Sequence, residues 1–507
     1  MASLPNYVAA AKPLPTDKRA AWYKTTAQTY AGIMLWFAFW QTMVWPHGPG
    51  EAGTFGGRLA AGILPALAGI VVAALICHFL FYLVPGLLGM QTGLPLYIVG
   101  TSTYGVQGGF VMPGFVMGVL QFCWLAFNAF FVSDMLCTYF DIGLGADGKV
   151  AVPGAIHGVI AAVWAILAAF VGLKGIQYLA RVATYLPLIP LVVLIVLFVK
   201  TVGGVGAFEP KQVIDATKAK AAAAAEKAKA EAKEDAAKQD AEKAEEPKEP
   251  LDGLTVFLVM VGGIVGFFAT AGAAGTDIAS SNRDASDVRL GGLTGIALAT
   301  VFSCGLAVLI VAGTYGAGLA TGESQGELNP VKLMSCILGS KQTATVLAIL
   351  LAISSFPPAC FSAFIAANSF RTTLPKVNPF VSVGIGTIAA IILAVTGVAG
   401  DATKVFDIIG ASFGPVCGAM VADYLLSGGK WAGPRAGLNP AGWISWVVGA
   451  AVGAYNMVAP LIPALKELKF EVPVAPVAAF VVGFVLYFLL AKAGLQSRTL
   501  QMPQAAR

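Results

Sequence analysis

Twelve apolar stretches dominate the chain, beginning near Ala27, Leu59, Phe110, Pro153, Val182, Leu254, Leu290, Ala344, Phe380, Val405, Gly442 and Val474. Each is long enough, at about 18 residues or more, to cross a hydrocarbon core. Lipid offers no partner to backbone polar groups, so such crossings are restricted to helices. The expectation is an all-α membrane protein with twelve transmembrane helices. A hydrophobic share of 57% and a mean hydropathy of +0.77 exclude a soluble globular domain of this size.

The first ten stretches fall into two blocks of five, residues 28–200 and 254–426, of nearly equal length. Inverted repeats leave this trace in carriers, whose substrate site lies where the halves meet. Residues 1–27 precede the first block as a cytoplasmic segment, and residues 201–252 form an insert between the blocks. Residues 427–491 hold spans 11 and 12, an accessory pair suited to oligomerisation or to facing lipid. Residues 492–507 form a cytoplasmic tail.

Lys12, Lys18, Arg19 and Lys24 stand ahead of the first span, and no small-residue cleavage site follows a short apolar core. The first helix is therefore expected to be retained. The distribution of Lys and Arg places both termini in the cytoplasm of a multi-pass plasma-membrane protein. The net charge of +5 is dispersed among loops, which argues against nucleic-acid binding. Seven cysteines lie far apart without metal-type spacing, so no metal site is expected. No nucleophile has a base at hand and no phosphate loop is present, so neither catalysis nor a cofactor is expected.

Residues 209–250 alternate Lys and acids on an Ala background, a helix-forming pattern that is polar all round and has no face to bury. It reads as a solvated external spacer in preference to an arm that docks a partner through residues 211–246. The Gly- and Thr-rich stretch from Thr92 to Gly109 carries turn signals and reads as a cytoplasmic loop.

Candidate residues lie at mid-depth. Gln121 and Trp124, three apart on the third span, project from one helical face. An amide there can read the polar edge of a heterocycle while the indole stacks on its ring. The competing reading is an amide bonded to a neighbouring helix beside a packed indole. In the sixth span Gly262, Gly263 and Gly266 permit a helix break, which would make Phe268 a ring contact and Thr270 a hydroxyl contact; the alternative is close packing through small residues. In the eighth span Pro357 and Pro358 impose a kink, beside which Ser354 and Ser355 carry hydroxyls. Asp407, near the external end of the tenth span, is a candidate gate or proton-coupling group. Asp277 and Asp423 sit near cytoplasmic span ends and read as interfacial and solvated.

These residues resemble the nucleobase:cation symporter family, most of all its cytosine permease branch. The likeness rests on Thr92-Gly93-Leu94, Tyr104-Gly105-Val106 and Gln121-Phe122-Cys123-Trp124, and on Gly414-Pro415-Val416 leading to Ala422-Asp423-Tyr424-Leu425. Phe268-Ala269-Thr270-Ala271-Gly272 followed by Asp277 resembles the family's sixth helix. The resemblance implies a five-plus-five inverted repeat of the leucine-transporter type with two C-terminal helices, and alternating access around a central site. It implies substrate contacts at Gln121, Trp124, Phe268 and Thr270. Ser354 stands where the family has a substrate-contacting Asn, and Pro357 and Pro358 stand where it has the hydroxyl residues of its sodium site. Span 1, from Met34 to Trp40, lacks the family's central glycine.

The expectation is a secondary active transporter of a nucleobase or related planar heterocycle. Its coupling ion is expected to be H+ rather than Na+, and its partners a small-molecule substrate and the lipid bilayer. The alternatives are an amino-acid carrier of the same fold, or a transporter-derived sensor or structural membrane protein without coupled flux.

Overall fold

The computed structural model describes residues 4–25, 39–40, 54–145, 150–174, 186, 188–234 and 249–502. Among these there is no β-strand beyond isolated bridges. Ten helices among the described residues are long and apolar enough to cross a membrane. They are span 2 (Ile63–Thr92), span 3 (Thr101–Phe140), span 4 (Ala155–Lys174), span 5 (Leu188–Ala207), span 6 (Gly253–Ala279), span 7 (Ala285–Gly316), span 8 (Lys341–Arg371), span 10 (Lys404–Leu426), span 11 (Pro440–Leu461) and span 12 (Ala475–Lys492). Span 9, Pro379–Val395, is apolar but shorter. The expected first span, with its stretch from Met34 to Ala38, lies outside the described residues except for Phe39 and Trp40, both buried.

Small residues let the helices approach closely, as packing in lipid requires. Spans 3, 4, 8 and 9 form one group, whose interior is built from Ala126, Ala129, Ala161, Ala165, Ala363 and Ala390. Spans 2, 6, 7 and 10 belong to a second, larger core. A methyl group at Gly69 would meet Met260 at 2.7 Å, and one at Gly272 would meet Phe81 at 2.8 Å. Leu64, Val159, Ile166, Ile385 and Leu489 point outward from the bundle, as lipid-facing positions should.

The N-terminal segment, loops 2–3 and 6–7, loop 10–11 and the C-terminal tail share one face, called here the termini face. Arg19 Nη1 donates to the Met90 carbonyl at 2.7 Å, Ala20 N to Ser281 at 2.8 Å and Leu500 N to Pro434 at 2.7 Å. The opposite side, which carries the insert, is the insert face.

Four expectations change. The stretch from Thr92 to Gly109 is not an open loop. Leu96–Val99 and Thr101–Gly109 are helical and largely buried. Gly105 adopts φ +81°, and a Cβ there would lie 2.2 Å from the Gly437 carbonyl; only glycine fits this approach.

Span 6 is one continuous helix of 27 residues, so its glycines serve packing and not a break. The insert helix, Pro210–Glu234, does bury a face. Val213, Ala216 and Thr217 are enclosed, and the Gly56 amide donates to Thr217 Oγ1 at 2.8 Å. Asp423 is not solvated either: at 3% exposure it pairs with Arg435 at 2.8 Å and accepts from Tyr487 at 2.7 Å. Asp277 stays at the surface, but its carboxylate is engaged, accepting from the Leu96 amide at 3.1 Å.

Spans 11 and 12 pack against span 10. Span 12 lies along span 10, where a Cβ on Gly418 would fall 2.1 Å from the Phe480 carbonyl.

Candidate aromatic site between spans 3, 6 and 10

Trp124 lies midway along span 3 and is 7% exposed. Its indole N–H donates to Thr270 Oγ1 on span 6 at 3.2 Å. Its ring stands edge-on to Phe267 at 4.9 Å and tilts against Phe406 of span 10 at 5.6 Å. Phe127, one turn further along span 3, closes the group against Trp124 at 6.0 Å and Phe406 at 5.6 Å. Such edge and tilted arrangements are the favoured geometries of aromatic quadrupoles. Three helices from two packing groups therefore meet through rings.

Gln121 is 2% exposed, one turn before Trp124. Its amide N–H reaches only the Met117 sulfur, a weak acceptor, at 3.3 Å. Its carbonyl oxygen is buried without a hydrogen-bond partner. Leaving such an acceptor empty costs about 1–3 kcal/mol.

The expected residues divide. Trp124 and Thr270 meet directly, and Gln121 lies one turn before Trp124 on the same helix; Phe267 of span 6 stands against Trp124, and the adjacent Phe268 is buried at 1% exposure. Ser354 and Ser355 do not join the ring group. Their hydroxyls donate back to Leu351 at 2.8 Å and Ala352 at 2.7 Å.

Span 8 does kink there, its first half ending at Ser354 and its second starting at Phe356. Pro357 and Pro358 occupy the first turn of the second half, where a missing N–H costs nothing. Asn128, which sequence reasoning passed over, holds this kink. Its amide donates to the Ser355 carbonyl at 3.1 Å and accepts from Trp164 Nε1 at 2.9 Å. A polar residue one turn from Trp124 was the available signal. Asp407 is half-buried, next in sequence to Phe406. Among the described residues no three His, Cys, Asp or Glu side chains group as metal ligands would.

Helices so arranged define an all-α membrane fold of the leucine-transporter type, a five-plus-five inverted repeat with two further helices. The chain is similar to a structure of Mhp1, a nucleobase-cation-symport-1 family transporter, in a closed conformation with bromovinylhydantoin bound. Identity is 15%, the match covers 97% of this chain and 96% of that chain, and the TM-score is 0.60. An inward-facing structure of Mhp1 matches at 14% identity over 98% and 96% of the two chains, with a TM-score of 0.61. A Na+-coupled sialic acid symporter in a substrate-bound, outward-open state matches at 10% identity over 98% and 93%, with a TM-score of 0.51. No family model matches the chain, and no curated protein matches it.

Proposed function

We propose that the chain is a secondary active transporter of the plasma membrane that moves a nucleobase or related planar heterocycle by alternating access. Both termini would lie in the cytoplasm. The observation that carries this reading is Gln121, a buried amide with an empty acceptor, one turn from the Trp124 indole. A ring with an N–H on its edge satisfies Gln121 while its face rests on Trp124. Phe267 and Phe406 bound the other side, and Thr270 exchanges its bond to the indole for one to the solute. Mhp1 holding bromovinylhydantoin, itself a ring bearing amide edges, supports the same solute class here.

A proton is the favoured coupling ion. A sodium ion stripped of water needs several oxygen ligands, and the residues at the corresponding place in span 8 supply few. Pro357 and Pro358 bear no hydroxyl, which leaves Ser354 and Ser355 as the hydroxyls at this kink. No step is therefore assigned to sodium.

Uptake of labelled cytosine, purines and hydantoins by cells expressing the chain tests the proposal. Wild type is expected to accumulate at least one ring, and Gln121→Ala and Trp124→Ala each to lose about tenfold or more of that uptake. Unchanged uptake in both variants removes these side chains from the site.

A further inference from the structure

Spans 2 and 7 each contain one π-helical turn, Cys77–Tyr82 and Leu293–Leu298, and the two turns pack against each other. Such turns interrupt regular helix bonding and recur at functional positions. His78 lies in the first of them, halfway along the 30 residues of span 2 and 1% exposed. Its Nδ1 is buried without a hydrogen-bond partner. It faces Gly292 of span 7, where a Cβ would come within 2.5 Å of Nδ1. The Phe79 and Tyr82 rings lie at 4.6 Å and 6.1 Å.

No countercharge is at hand among the described residues. On span 2 the titratable neighbours are Cys77 and Tyr82. On span 7 Cys304 lies near Cys77, Arg289 is exposed, and Asp287 is held by Arg283 at 2.7 Å and by the Trp22 amide. On span 6 Asp277 is engaged by Leu96, and on span 10 Asp423 is paired with Arg435 while the Cys417 thiol points at the Ala269 carbonyl. An imidazolium in this packing would be a buried, unpaired charge, so the packing admits only the neutral ring.

We propose that His78 is a proton-binding site whose protonation is linked to separation of spans 2 and 7. When water enters between the π turns, the Nδ1 lone pair accepts a proton from hydronium. One N–H bond forms, one O–H bond breaks, and no electron is transferred. Closure of the turns onto Gly292 returns that proton to water. This inference rests on the carrier reading for its role in coupling, but its tests need no flux.

The first test uses the full-length chain in nanodiscs with Cys123, Cys137, Cys336, Cys360 and Cys417 replaced by Ala or Ser, leaving Cys77 and Cys304 at the span 2–span 7 contact. A free thiol reacts more slowly with N-ethylmaleimide as pH falls, because its thiolate fraction falls. Labelling corrected for the thiolate fraction is expected to rise at least about threefold from pH 8 to pH 5.5, across the range where histidine titrates, and to lose this rise in His78→Gln. Identical pH profiles with and without His78 overturn the proposal.

Should His78→Gln fail to fold, 15N-histidine spectra of the otherwise native chain replace it. With three histidines in the sequence, His47→Gln and His157→Gln assign His78 by elimination. Its change from neutral to cationic is expected at the pH where labelling corrected for the thiolate fraction rises. Transitions at different pH overturn the linkage. Coincident transitions in a chain that transports none of the rings tested leave the proton site standing and remove only the carrier reading.

Discussion

At the scale of single residues, the site rests on side chains whose bonding is incomplete or shared between helices. Asn128 is the shared case. One amide serves the Ser355 carbonyl at the span 8 kink and the Trp164 indole of span 4. Asn128→Ala removes one buried and one part-buried bond, at up to about 1–3 kcal/mol each. A fall of several degrees in the unfolding temperature of purified protein is therefore expected, with ring binding also weakened because Trp124 lies one turn away. An unchanged melting temperature would mean that water takes over both bonds. The placement of Gln121 and Trp124 at mid-span was legible in the sequence because polar and indole groups at mid-depth are conspicuous there. The contact of Phe267 with Trp124 was not. Adjacent helical positions differ by about 100° around the axis, and two neighbouring phenylalanines give no clue to which faces the partner until the helix is known to run unbroken.

At the scale of elements, the insert differs most from its sequence reading. Its composition is polar on average, yet the first three turns carry Val213, Ala216 and Thr217 on one side, a short apolar stripe that the charged background hid. Lys218 lies over the Phe55 ring at 5.4 Å, and Lys220 pairs with Glu327 at 3.2 Å. The helix thus ties the segment before span 2 to loop 7–8, joining the two repeats on the insert face. Burial alone would raise the Glu327 pKa, but Lys332, Lys220 and the Asn329 amide outweigh it and hold the carboxyl below its ordinary value.

A depressed folded-state pKa stabilises docking at pH values above the unfolded pKa and loses that contribution as pH falls through the folded value. Proteolysis of the insert helix is accordingly expected to quicken below about pH 4.5, and Glu327→Gln to show that quickening already at neutral pH. Equal cleavage rates in wild type and variant at pH 7 would contradict the tie. The span 8 kink, by contrast, was legible because a proline pair has a local steric consequence.

At the scale of the whole molecule, spans 3, 4, 8 and 9 form one packed body, while spans 2, 6, 7 and 10 share another core. The ring group around Trp124 joins the two. The all-α membrane fold and the long apolar runs were readable because lipid imposes length and hydrophobicity on every crossing. Contacts between the bodies were not, since they depend on helix rotation and on remote glycines such as Gly105 and Gly418. Equilibrium binding of a transported, labelled ring to purified wild type and Gln121→Ala most directly tests whether that junction holds a solute. The expected result is a Kd weakened about tenfold or more, corresponding to about 1.4 kcal/mol or more, in a variant whose unfolding temperature is unchanged or raised by loss of the empty carbonyl. Equal affinity in the two proteins would contradict a ring seated between spans 3, 6 and 10.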